Sequence, residues 1–326
     1  MNKGKQINLH DPSIELGEDF SELEREAAER EAAWRALRLT KFTASEAHRL
    51  MAGAELSNED RAYAHLSTLK LPDLQFAADE HEVPTKKPGR GDKEVNRTMA
   101  ELIGDLAPKM AFWFPDKLPE GALTYVEEKV VETKTGKPIS DIETYDMRRG
   151  KEMEPEQVQA VMQATGLEIR NWGDNQVFRE DVKNEKLRGH VGSTPDGDFT
   201  YKDIEFGFEG KCPRATTHHR YLYGSIKGEE DQPPLTAETF KEVEYGYYVQ
   251  ILKGFLTTDF AGWLWVSFCP DYRDEAERLL MIVIWREDVE EDIAHLERRL
   301  EMAVDEKLKR LEAKRERVDI LKEMER

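Results

Sequence analysis

The chain has 326 residues, 39% of them hydrophobic and 35% charged, and a formal net charge of −19 at pH 7. That length and apolar share suit one large domain with additions and exclude a disordered chain. Two cysteines, Cys212 and Cys269, exclude a disulfide framework or a four-cysteine cluster. The acidic balance excludes a protein that coats nucleic acid indiscriminately, because backbone affinity comes from Lys and Arg neutralising phosphates. An enzyme that concentrates cations in one channel remains compatible. No apolar run is long enough to span a bilayer, and the opening MNKGKQINLHDPS lacks the apolar core of a secretory signal. No membrane association and a cytoplasmic location are therefore expected.

In chain order, residues 1–20 read as a flexible N-terminus, and SELEREAAEREAAWRALRL (21–39) predicts a helix from its Ala, Leu, Glu and Arg content. KFTASEAHRLMAG predicts a second helix, capped by Thr43 or Ser45 with Glu46 in its first turn and ending near Gly53. A helix start offers free amides and a favourable dipole, so Arg38 with Ser45 could grip a phosphate; an ordinary cap beside a surface arginine explains the same residues. From 54 to 149 the signal weakens. EHEVPTKKPGRGDKEVNR predicts a mobile loop exposing Lys86, Lys87, Arg90 and Lys93, and MAELIGDLA a helix. Phe112, Trp113 and Phe114 read as an apolar patch packing this insert onto the core, with stacking on unpaired bases as the alternative. A hairpin is expected around Lys134 to Gly136.

RRGKEMEPEQVQAVMQATGL predicts a helix with Val158, Val161 and Met162 on one face, a stop at Gly166, and Glu154 in its first turn. A strand pair is expected through 168–181 and 187–193. The stretch GSTPDGDFTYKDIEFGFEGKCP then places Asp196 in a Pro-Asp-Gly turn and Glu209 and Lys211 two apart at the end of a strand, hence on one face. Two carboxylates and a lysine can hold a hard divalent cation and orient or deprotonate a water, which is equipment for phosphodiester hydrolysis. A hairpin with a surface ion pair accounts for each residue taken alone. RATTHHRYLYG predicts a short helix on which His218 and His219 splay apart. FKEVEYGYYVQILKGFL predicts a long helix with Tyr245, Tyr248, Val249 and Leu252 at helical spacing, most of that stripe core, and Gln250 free to reach a site. AGWLWVSFC and RLLMIVIW read as strands, and 287–326 as a charged helix with leucines at 296, 300, 308, 311 and 321. No G-x-x-x-x-G-K-[ST] loop occurs, which argues against ATP-driven translocation.

Four blocks together resemble the phage lambda exonuclease family, the alkaline exonucleases of viral recombination within the PD-(D/E)xK nuclease class: AWRALRLTKFTASEAHRLMAG, RRGKEMEP, STPDG with FEGKCP, and YYVQILKGFLTT. They cover about half the chain, and their joint order is what is specific. The resemblance implies an α/β, restriction-endonuclease-like core with a central mixed sheet flanked by helices. On that basis 21–286 is expected to be the nuclease domain, with an insert around 55–147, and 287–326 a C-terminal helix. It further implies two Mg²⁺ ions, for which Mn²⁺ can substitute, and 5′-to-3′ digestion of one strand at a double-stranded DNA end. Asp196 and Glu209 become metal ligands with the Gly210 carbonyl as a third candidate, Glu154 the outer carboxylate, and Lys211 the residue that orients the water. Arg38, Ser45, Thr194 and Gln250 fall to the 5′-phosphate and DNA. Thr194 stands where the family often has Ser, and Tyr248 where it often has the first of two Gln. A single-strand annealing protein, a homo-oligomer such as a trimeric ring, and the cytoplasm of a bacterial host follow as partners and location. An endonuclease of the same class and a non-catalytic DNA-end-binding protein are the competing readings.

Overall fold

The structure, a computed structural model, describes residues 25, 29–30, 32–54, 56–90, 93–139, 144–227 and 230–313. The expected flexible segment at 1–20 and Leu321 lie outside the described residues. Residues 32–38 are helical (α1) and lead to a turn at Thr40. Where a second capped helix was expected there is a single 3-10 turn, Ala47–Leu50, with Glu46 at its start and no side-chain cap. Neither candidate hydroxyl caps it: Thr43 is buried with its N–H donated to the Tyr125 hydroxyl at 2.9 Å, and Ser45 points to solvent.

Helices α2 (Asn58–Leu66), α3 (Leu71–Glu80) and α4 (Met99–Met110) follow, the first and last opened by reciprocal caps, Ser57 with Asp60 and Thr98 with Glu101. A short hairpin, β1 (Lys86–Pro88) with β2 (Glu94–Asn96), occupies part of the stretch read as a loop. These helices enclose a small core of their own, built on Leu66, Leu74, Leu102 and Leu106. Of the aromatic triplet only Phe114 packs there, while Phe112 and Trp113 are 81% and 65% exposed. The patch therefore does not dock this unit on the sheet.

α5 (Glu120–Thr135) is a four-turn helix where a hairpin was expected around Lys134 to Gly136. Gly136, at φ +65°, is its left-handed stop, closing back on the Glu132 carbonyl. α6 (Tyr145–Thr165) is capped by Thr144 and, as the sequence suggests, ends at Gly166. It begins earlier than expected, so Glu154 stands in the helix interior and not in its first turn. The expected strand pair at 168–193 is absent: the segment is irregular, tied down by single bridges from Arg170 to Asp198, Arg179 to Ser193 and Val191 to Phe42. Left-handed residues at Asn171, Gly173 and Gly189 interrupt any ladder.

The centre is a four-stranded mixed sheet. β3 (Gly197–Tyr201) and β4 (Ile204–Lys211) form an antiparallel hairpin whose two turn residues, Lys202 and Asp203, both have positive φ. The chain leaves through α7 (Ala215–Tyr223), a minor hairpin of β5 (Ser225–Lys227) and β6 (Glu230–Gln232), α8 (Phe240–Val243) and α9 (Tyr245–Leu256). It returns as β7 (Gly262–Phe268), parallel to β4, and β8 (Leu279–Trp285), antiparallel to β7, and closes with α10 (Glu290–Glu312). The sheet order is β3-β4-β7-β8.

Strand alternation sorts the two faces. Phe206, Phe208, Leu264 and Val266 pack with Val158 and Val161 of α6. Trp263, Trp265, Ile282 and Ile284 pack on the other face with α9, α10 and Tyr125 and Val126 of α5. The fit around Trp263 is close enough to require glycine: a Cβ at Gly207 or Gly254 would lie 2.6 or 2.2 Å from its indole. Leu296 and Leu300 of α10 are fully buried and Leu308 is 40% exposed, so the charged helix packs on the body along most of its length. Among the described residues no helix is long and apolar enough to cross a membrane.

Candidate active site

Pairing between β3 and β4 stops at Gly197 opposite Phe208, so Glu209, Gly210 and Lys211 run on past the end of β3 while still paired with β7. This overhang would leave the Gly210 N–H without a strand partner. Asp196, in the turn just before β3, supplies one: its Oδ2 accepts that N–H at 3.0 Å. The Pro-Asp-Gly turn is thereby fixed against the end of β4.

Glu209 and Lys211 share the α9 face, as their two-residue spacing dictates, and are joined by a direct ion pair. Lys211 Nζ also lies 3.6 Å from Asp196 Oδ2 and 5.2 Å above the Tyr247 ring. Gln250 of α9 donates from Nε2 to Glu209 Oε1 at 2.5 Å, so the polar exception on that helix does reach the site. Tyr248 does not: its hydroxyl donates to Asp292 of α10 at 2.5 Å. On the opposite face, Gln157 of α6 donates to the Lys211 carbonyl at 3.0 Å, and its Oε1 occupies the space where a Gly210 Cβ would be, 2.0 Å away. Glycine between the acid and the lysine is therefore a packing requirement.

Glu154 is half-buried, unlike its exposed neighbours Glu152 and Glu156. Its Oε1 accepts the Gly173 N–H at 3.1 Å and Gln176 Nε2 at 3.3 Å, and the same Gln176 amide reaches Asp196 Oδ1 at 3.5 Å. Gln176 thus links Glu154 to the centre. Arg38 arrives from α1: Nη1 donates to Thr194 Oγ1 at 3.0 Å and the guanidinium lies 4.3 Å over Trp34. Ser45 is exposed, and among the described residues no hydrogen bond of its hydroxyl joins it to this group. Arg38, Thr194, Asp196, Glu209, Lys211, Gln250 and Glu154 are accordingly brought together, and Ser45 is not tied to them.

Electrostatics follow from burial. Glu209 is 2% exposed, and desolvation together with the Asp196 charge raises its pKa, against the pull of Lys211. Burial opposes the charge on Lys211, but Glu209 and Asp196 outweigh it and hold the ammonium above its usual range. Burial and Asp196 also raise Glu154, which the Gly173 N–H and Gln176 partly offset. Burial lowers Arg38, with Tyr125, Asp196 and Glu209 acting in the other sense. Both cysteines are free, and burial pushes the Cys212 thiol up to about 12, which argues against a thiolate nucleophile. His218 is buried, its ring bonded to the Ser267 hydroxyl at 2.7 Å and donating to the Glu277 carbonyl at 2.8 Å. It serves the fold.

The donor set suits a hard divalent cation in kind: two carboxylates, one deeply buried, whose crowding a cation would relieve, with backbone carbonyls alongside. Among the described residues no three Asp, Glu, His or Cys side chains converge on one point. A cation here would therefore draw on Asp196 and Glu209 with carbonyl or water oxygens. The sequence did not single out Gln157 or Gln176. Gln157 carries a faint signal, lying three residues after Glu154 on the same helix; Gln176 sits in irregular chain and has none.

Residues 116–261 match the model of the YqaJ-like viral recombinase domain. The structure is similar to that of LHK-Exo in complex with dAMP, with a TM-score of 0.50 and 18% identity over 86% of this chain and 94% of that one. LHK-Exo, an alkaline exonuclease from Laribacter hongkongensis, gives a TM-score of 0.46 with 20% identity, covering 64% of this chain and 87% of its own. A phage-related exonuclease from Haemophilus somnus 129PT gives 0.42 with 13% identity, covering 60% and 86%. No curated protein sequence matches the chain. The first of these structures shares the fold, and the matched span runs from α5 to the entry of β7, taking in Glu154, Asp196, Glu209, Lys211 and Gln250. This span, a little under half of the chain, is similar to the YqaJ-like viral recombinase domain, in keeping with the lambda exonuclease family that the sequence blocks resemble.

Proposed function

We propose that this chain is a Mg²⁺-dependent exonuclease that digests one strand of linear duplex DNA from its 5′ end, leaving 3′ single-stranded tails for an annealing protein. The observation that carries this reading is the hydrogen bond from Arg38 to Thr194, two residues before Asp196. It sets a guanidinium, suited to a phosphate, at the edge of the acid and lysine cluster. A reader of a terminal phosphate has a use in an enzyme that begins at an end and none in an internal cutter.

Asp196 and Glu209, with the Gly210 carbonyl, are the residues that would hold the metal, and Glu154 is the outer carboxylate. A bound divalent cation supplies a water of lowered pKa and charge stabilisation at the phosphate oxygens. Lys211 keeps its proton beside the two carboxylates and orients the attacking water. Gln250 fixes the rotamer of Glu209, and Thr194 holds Arg38. The assembly that suits this activity is a homo-oligomer enclosing the duplex, and the trimeric ring implied by the family resemblance is the form we propose.

The test is digestion of linear duplexes bearing 5′-phosphate or 5′-hydroxyl ends, and of closed circles, in Mg²⁺ and in EDTA. Expected are 3′ tails from linear DNA, faster on phosphorylated ends, and no product in EDTA. Equal cleavage of circles would favour an endonuclease, and binding of ends without any digestion would favour a non-catalytic protein.

A further inference from the structure

Thr40 has φ +69°, and among the described non-glycine residues with positive φ it alone is β-branched. Such a residue enters the left-handed region only where its surroundings over-determine it. Here they do. Glu132 of α5 accepts the Thr40 N–H at 3.2 Å, and Lys307 of α10 donates to the Thr40 carbonyl at 2.6 Å. Lys129 holds Glu132 in place at 2.8 Å, and Glu132 and Lys307 are 7% and 3% exposed.

The same face of α5 secures the next residues. The Tyr125 hydroxyl accepts the Thr43 N–H, and Glu128 receives both terminal nitrogens of Arg49 at 2.7 and 2.9 Å. Beyond the bend, Phe42 donates its N–H to the His190 carbonyl at 2.8 Å and accepts from Gly192, two residues before Thr194. The bend at Thr40 therefore sits between Arg38 and the chain that leads to Thr194. Both of its backbone groups are taken by buried ionic side chains from helices 175 positions apart in sequence (307 − 132). Apolar side chains would hold two helices together as well; buried charges aimed at one peptide fix a geometry.

We propose that Glu132 and Lys307 are positioning residues that lock Thr40 in its left-handed bend, aim Arg38 at Thr194, and so set the preference for a phosphorylated 5′ end. This rests on the reading of Arg38 given above. It assigns α5 and α10 a place in end recognition although neither contributes a side chain to the acid and lysine cluster.

The experiment uses the full chain and steady-state digestion of linear duplexes with 5′-phosphate or 5′-hydroxyl ends, comparing wild type, Arg38→Ala, Lys307→Met and Lys307→Arg. For Lys307→Met the KM for phosphorylated ends should rise about tenfold with kcat within about twofold, the signature of lost ground-state positioning. The phosphate preference should fall toward unity, and Lys307→Arg, which keeps the donor, should recover most of it. If Lys307→Met does not fold, Glu132→Ala is the second variant. It removes the acceptor of the Thr40 N–H while leaving the Lys307 contact to the Thr40 carbonyl in place, so the same loss of preference is expected. Folded variants that keep the wild-type preference while Arg38→Ala loses it would overturn the positioning role and leave the Arg38 reading intact. Arg38→Ala retaining the preference would overturn both.

Discussion

Arg38 and Thr194, 156 positions apart in sequence, are joined by a 3.0 Å hydrogen bond that brings the N-terminal block to the turn carrying Asp196. Arg38 is pulled from solvent by this contact and by Trp34 beneath it, so its guanidinium is held in one direction before any substrate arrives. A preorganised arginine loses less freedom when it meets a phosphate than one on a mobile stem.

Lys211→Ala removes the ammonium that faces both Glu209 and Asp196. The expected outcome is a fall in kcat of about 10²–10⁴-fold, in the range of a lost proton-handling or water-orienting group, with binding of DNA ends retained. Single-turnover digestion alongside an end-binding titration separates the two.

Gly210→Ala brings a methyl to 2.0 Å from the Gln157 carboxamide, which is buried and bonded to the Lys211 and Val266 carbonyls. Overpacking of this kind costs about 1–3 kcal/mol, so the melting temperature should fall by several degrees and activity with it. Gly210→Ala combined with Gln157→Ala should be less destabilised than the sum of the two, because the second change makes room for the first. Denaturant unfolding of the four proteins in the cycle measures the difference.

Ser45→Ala should leave stability within about 0.5 kcal/mol of wild type, since Ser45 is exposed and the 3-10 turn that follows it has no side-chain cap. Had Ser45 capped a helix, the loss would be about 1 kcal/mol. Thermal melting decides between the two. Any change in phosphate preference without a change in melting then reports a substrate contact.

Lys307 has its pKa pushed down by burial, to about 8 from 10.5. Between those values the unfolded chain binds the proton that the folded chain has released, so the folded state gains stability as pH rises through this window. Below about pH 8 the cost of burying the charge is fully present and constant. The stability difference between wild type and Lys307→Met should therefore shift in favour of wild type from pH 8 to 10.5 and stay flat from pH 6 to 7.5. Chemical unfolding of both proteins across that range checks the sign.

Legibility of the fold tracks how local its causes are. The Glu209 and Lys211 pair, the sheet strands and the C-terminal end of α6 were readable because two-residue alternation and a left-handed glycine stop are properties of a few neighbouring residues. Gly136 was misread as a hairpin turn because a helix stop and a hairpin turn both favour glycine with positive φ, and only the packing of Val126 and Val130 against the sheet layer decides between them. The segment 168–193 alternates like a strand but finds no partner beyond single bridges. Glu154 was placed in a first turn because the true cap, Thr144, lies ten residues earlier (154 − 144). Within the site, Asp196, Glu209, Lys211 and Gln250 were legible by type and spacing. Gln176 was not, since its role comes from chain folding back across β3.

The hairpin turn of Lys202 and Asp203 acts as the index mark of the whole centre. Those two residues, both at positive φ, fix Tyr201 opposite Ile204 and hence which residues of β4 face α9. Side chains alternate strictly along a strand, so a slip of one position would exchange the faces. Phe208 and Gly210 would then meet Gln250, and the acid and the amine would be driven into the apolar layer under α6. A two-residue turn at the far end of the hairpin thus decides whether the protein presents a reactive edge or a greasy one.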